Sequence, residues 1–108
     1  MNLKDLSEKA VNIRQKYDAL NIKSGNRKWV TLNFAQGFVG DVGDLMKLVM
    51  AKEGLRKIDD VDEKLAHELS DCLWSILVLA DKYNIDLEKD FGKTMAELEN
   101  KIDSKLGK

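Results

Sequence analysis

The chain has 108 residues, 18 Lys and Arg against 19 Asp and Glu, a formal net charge of −1, no proline and one cysteine. That length makes one domain (residues 1–108) with a core able to fold unaided, and the near-neutral charge gives no footprint for a nucleic-acid polymer or an anionic membrane. One cysteine excludes an internal disulfide framework and a multi-cysteine zinc site, and a proline-free composition rich in Leu, Lys, Glu, Asp and Ala predicts an all-α fold.

In chain order, Leu3, Leu6, Ala10, Ile13, Tyr17 and Leu20 recur at steps of three and four and predict an amphipathic first helix. Met1 leads directly into the charged stretch NLKDLSEKA, so no signal peptide is expected and a cytoplasmic location is. Asn21 to Lys28 reads as a basic loop, with Trp29 directly after it. A second helix capped by Thr31 or Asn33 is predicted to run to about Glu53, where Gly54 stops it. Asp60 or Asp62 caps a third, which runs to Tyr83 with Asn84 as terminator. Asp86 caps a fourth, from Leu87 to about Leu106, with Phe91, Met95, Leu98 and Ile102 on its apolar side. The longest apolar run, near Cys72 to Ala80, is far too short to span a bilayer, and Cys72 itself reads as a small buried hydrophobe.

The second and third helices each carry two acids three residues apart, Asp41 with Asp44 and Glu68 with Asp71. At 100° per residue, Phe34, Leu45 and Leu48 fall within about 40° of Asp41, so these carboxylates interrupt an apolar stripe. Glu68 and Asp71 interrupt a third helix that reads as apolar nearly all round. Acid pairs at this spacing usually lie on solvated faces, but a carboxylate inside an apolar stripe needs a proton, a cation or a metal. Four oxygen donors on two facing helices suit Mg²⁺, with Mn²⁺ as the alternative, better than zinc. His67 adjoins Glu68 in sequence, so it is expected to point elsewhere, as a surface or partner-contact residue. Gly37, Gly40 and Gly43 each weaken the second helix and suggest a close approach by another backbone or a ligand.

In order, spacing and apolar context, Asp41-Val42-Gly43-Asp44-Leu45 followed by Glu68-Leu69-Ser70-Asp71 resembles the all-α nucleoside triphosphate pyrophosphohydrolases of the MazG-like and dCTPase-like family. Their hallmark is a Glu-x-x-Glu pair followed, about one helix later, by Glu-x-x-Asp. The run from Leu79 to Leu87 also looks like that family's approach to its last helix, and the likeness covers roughly Trp29 to Ile102. The resemblance implies a four-helix MazG-like bundle that cleaves a nucleoside triphosphate into monophosphate and pyrophosphate, in nucleotide-pool house-cleaning. Asp41, Asp44, Glu68 and Asp71 would be both its metal-holding and its catalytic residues. It also implies that Lys47, Lys52, Arg56 or Lys93 contacts phosphate, that Asn33 touches base or sugar, and that Trp29 stacks on the base.

Two positions depart from the family pattern. Aspartates stand at 41 and 44 where glutamates are usual, and Leu98 stands about where an asparagine follows the last-helix lysine. The alternative these departures leave is a catalytically silent bundle of the same fold that binds a nucleotide or a protein partner. The broad apolar stripes of the first, third and last helices exceed what one short chain buries, so a homodimer or homotetramer is expected.

Overall fold

A computed structural model describes residues 1–107. Among them the chain forms four α-helices and no strand: α1 (Leu3–Lys23), α2 (Thr31–Lys52), α3 (Val61–Lys82) and α4 (Leu87–Lys105). None of these helices is long and apolar enough to cross a membrane.

Local chemistry sets each boundary. Asn2 caps α1 by accepting from the Asp5 N–H at 2.9 Å, while the Asp5 carboxylate accepts from the Asn2 N–H, a reciprocal arrangement that satisfies two otherwise orphaned donors. At α2 the cap position is Val30, which has no polar side chain. Asn33, one turn inside the helix, accepts from the Val30 N–H at 3.0 Å instead. Gly54 stops α2 in a left-handed conformation, φ +80°, open to glycine without a Cβ penalty. Asp60 and Asn84 take the same region on either side of α3, at φ 54° and 55°. Asp86 caps α4 by accepting from the Lys89 N–H.

The helix α3 packs on both α1 and α2 and forms the spine of the molecule. The core holds Ala10 of α1, Phe34 and Leu48 of α2, and Cys72, Leu77 and Val78 of α3, with Val78 at 0% exposure. Trp74 ties α3 to α1, its indole N–H donating to the Ala10 carbonyl at 3.1 Å. The all-round apolar reading of α3 needs correction, because Leu69, Leu73 and Ile76 lie exposed on the side away from α1 and α2.

The helix α4 buries none of its residues; Phe91, Met95, Leu98 and Ile102 are 40–60% exposed. The radius of gyration is accordingly 17.4 Å, against about 13 Å for a compact chain of this length. Of the three glycines in α2, only Gly37 is closely approached: a Cβ there would stand 3.3 Å from the Trp29 ring, while Gly40 and Gly43 face open space.

Leu77 lies 4% exposed in the core, so Leu77→Ala should cost about 2–4 kcal/mol through lost burial and a residual cavity. Urea titration checks this, with a lower midpoint and an unchanged slope as the expected outcome.

Candidate functional site

Three of the four acids, Asp41 and Asp44 of α2 and Glu68 of α3, meet across the seam between these helices. One carboxylate oxygen from each of Asp41, Asp44 and Glu68 lies within 4.8 Å of the other two. Asp44 is exposed, and Asp41 and Glu68 are half-buried. Glu68 Oε1 is shut off from solvent and has no hydrogen-bond partner. Burial first, then the carboxylates of Asp41, Asp71 and Asp44, push the Glu68 carboxyl above the usual range for glutamate. The neighbouring Cys72 thiol is likewise pushed up, by burial and then by Asp41, Glu68 and Asp71. It is buried, as its sequence context predicts.

Asp71 stands beside this group of three. Its Oδ2 is 3.2 Å from Nε2 of His67, one helical turn earlier. His67 is exposed, as a surface histidine should be, but it does not point away from the acids: it pairs with Asp71 and borders the groove beside Glu68, and its i,i+4 spacing to Asp71 is the signal that would have shown the pairing in the sequence. A shallow groove of about 460 Å³ runs along the other side of the cluster, bordered by Asp44, Lys64, His67 and Glu68. Lys64 was not singled out in the sequence, although it lies one turn before Glu68.

Between α1, α2 and α3 opens a cleft of about 580 Å³, lined by Tyr17, Asp18, Trp29, Phe34, Trp74 and, from the acid cluster's side, Asp41 and Asp71. Its rings form a continuous row of edge-to-face contacts: Trp29 to Phe34 at 5.3 Å, Phe34 to Trp74 at 5.9 Å and Trp74 to Tyr17 at 6.0 Å. Trp29 is 43% exposed, leaving part of its ring free to stack. The α1 wall carries Asp18, paired with Arg14 at 3.1 Å and reached by Lys28 at 4.0 Å. Tyr17 reads in the sequence only as a residue of the α1 stripe, and Asp18, a lone acid beside it, carries no signal of its own.

The other sequence candidates stand outside this cleft. Asn33 is occupied at the start of α2 and borders a separate surface hollow with Arg27, Lys28 and Gln36. Lys47 on α2 and Lys93 on α4 are both exposed, and neither lines the cleft. No protein-family model, curated protein or solved structure matches this chain.

The raised Glu68 carboxyl makes the folded chain hold a proton that the unfolded chain has already released, so this group's contribution to stability is full at low pH and is lost as pH rises through the raised value. In the presence of a chelator, thermal midpoints should therefore fall over that window. Glu68→Gln should remove this part of the fall and leave the chelated protein more stable at neutral pH.

Proposed function

We propose that this chain is a Mg²⁺-dependent nucleoside triphosphate pyrophosphohydrolase, with Mn²⁺ able to substitute, that releases a nucleoside monophosphate and pyrophosphate. The observation that carries this reading is the double position of Asp41, which belongs both to the three-acid cluster and to the wall of the aromatic cleft. A nucleoside whose base lies against the rings brings its first phosphate to the acids before the second and third. Cleavage next to that phosphate gives the products named.

The donor set fits a hard divalent cation. All three ligands are oxygens, their spread is close to the roughly 4 Å that separates opposite oxygens around Mg²⁺, and the buried Glu68 Oε1 lacks any partner. Asp41, Asp44 and Glu68 would hold the ion, which when bound neutralises triphosphate charge and lowers the pKa of a bound water. Asp71 lines the cleft outside this group of three, which leaves it the carboxylate placed to accept the proton of the attacking water. Trp29 supplies the stacking face, and Lys64 at the outer groove is better placed for the distal phosphates than Lys47 or Lys93 of the same chain. Removal of unwanted nucleotides from the cellular pool is the role such a reaction serves.

Incubation with a panel of ordinary and modified dNTPs and Mg²⁺ should yield monophosphate and pyrophosphate. Glu68→Gln should lower kcat/KM at least about 100-fold, the upper end of what losing even an outer-shell partner costs, and should abolish the rise in thermal midpoint that Mg²⁺ gives the unaltered chain. Tight nucleotide binding without turnover would select the silent-bundle alternative, with the shortened acids at 41 and 44 as its cause.

We also propose that the working unit is a homodimer or homotetramer in which a second copy covers α4. The stripe from Phe91 to Ile102 and the exposed row Val39, Val42, Met46, Val49 and Met50 on α2 each span twelve residues, about 16 Å of helix from end to end. The open glycines at 40 and 43 leave room for a helix to lie close against that row. Sedimentation analysis should show an assembly larger than a monomer, and the double substitution Met95→Glu and Leu98→Glu should dissociate it; a monomeric unaltered chain would refute the arrangement.

A further inference from the structure

The nucleoside reading of the cleft leaves open what selects the base, and the α1 wall contains one group suited to that task. Asp18 is only 8% exposed although it carries a carboxylate. An ionised carboxylate offers about four acceptor positions. Here Oδ2 receives one hydrogen bond, from Arg14 at 3.1 Å, while Lys28 at 4.0 Å is too far to donate one. Oδ1 has no partner at all. A buried carboxylate held by a single hydrogen bond is under-satisfied, and the space beside it is the aromatic cleft.

From this we infer that Asp18 is the specificity-determining residue of the cleft and selects nucleotides whose base carries an exocyclic amino group. The inference rests on the reading of the cleft as a nucleoside site and adds the substrate class to it. A carboxylate only accepts, so it attracts the N–H of an amino group and repels a carbonyl oxygen at the same ring position. The imide N–H of a uracil-type base is a poorer match, because two carbonyl oxygens flank it and would be pressed against the same negative charge. Arg14, the i,i+4 partner at 3.1 Å, restrains the carboxylate through Oδ2, which keeps a further acceptor position of its own. Oδ1 is shut off from solvent, and the soft torsion of aspartate lets it turn toward the cleft only as the Arg14 bond loosens, so an entering donor must compensate for that loss. Asp18→Asn keeps the shape but adds a donor, and so removes the physical basis of the preference.

The test uses two pairs of nucleotides that differ at one ring position, dCTP against dUTP and dATP against dITP. Each pair is measured for hydrolysis with Mg²⁺ and, as α,β-imido analogues, for binding by calorimetry. The amino-bearing member of each pair should be favoured roughly 10- to 100-fold, the range set by one hydrogen bond to a charged group. Asp18→Asn should bring the ratio toward one or reverse it, while a circular-dichroism spectrum matching the unaltered chain shows that the fold is kept. Equal use of both members, a preference for the carbonyl-bearing ones, or an unchanged preference in Asp18→Asn would overturn the inference and leave the pyrophosphohydrolase intact. Should Asp18→Asn fail to fold, the ratio in the unaltered chain decides alone. Amino-selective binding without hydrolysis would sink the enzyme and uphold the selector, whereas no binding of any nucleotide would sink both.

Discussion

The physical constraint on which the rest depends is that the α2–α3 seam holds three carboxylates within 4.8 Å of one another. Two like charges at about this distance repel by a few kcal/mol at the effective dielectric near a protein surface, less where water screens them as it does at Asp44. The seam does not open because buried apolar residues flank the acids, on both sides along α2 and on the C-terminal side along α3. Phe34 and Leu48 of α2 are buried, and so are Cys72, Leu77 and Val78 of α3. Each buried side chain of this size contributes about 1.5–3 kcal/mol, so helix packing outweighs the repulsion and fixes the acids in place. What the packing cannot do is satisfy Glu68 Oε1, which is left without a partner. A proton relieves that and a bound cation would do the same, so on the proposed reading pH and divalent metal act against one another at one site.

The same seam determines where a ligand can lie. Phe34 is both a core residue of α2 and the middle of the aromatic row, and Trp74 is both the next ring and the hydrogen-bonded tie to α1. Because the Trp74 indole spends its donor on the Ala10 carbonyl, the α1 backbone is held where Tyr17 and Asp18 complete the cleft wall. Displacing α1 would leave the acid cluster whole and destroy the cleft. The acid cluster and the aromatic cleft are thus built by different sets of helices and joined at Asp41.

How much of this could be read from the sequence follows from the range of the forces involved. The four helices and the terminators Gly54 and Asn84 were legible, because periodicity, capping and left-handed turns are local effects. The cap at Asp60 was legible in position but not in kind, since its side chain makes no capping bond and its backbone turns left-handed instead. The meeting of Asp41, Asp44 and Glu68 was also legible, because carboxylates inside apolar stripes must be brought together when the stripes pack. The cleft was not. Asp18 lies at the edge of the α1 stripe and, with Arg14 four residues earlier, has the pattern of a solvated ion pair; only the docking of α1 on α3 buries it. Nor could periodicity show that α4, the most regular amphipathic stripe of the chain, finds no place on its own bundle. A stripe states that a face needs cover and says nothing about which surface supplies it.

The aspartates at 41 and 44 bear most directly on what the site can do. Shortening two arms by a methylene each would disperse the oxygens if the helices kept the separation that longer acids need. The three oxygens nevertheless converge within 4.8 Å, the longer Glu68 arm from α3 meeting the two shorter arms from α2. The convergence is uneven. Two arms come from α2 and one from α3, because Asp71, the second acid of α3, is drawn to His67 and faces the cleft. Asp41, Asp44 and Glu68 form the group that would hold an ion, and Asp71 stays outside it at the cleft wall. Under the proposed reaction, three acids would hold the ion and the fourth would be left to take a proton. The shorter side chains are therefore compatible with convergence of the acids at this site.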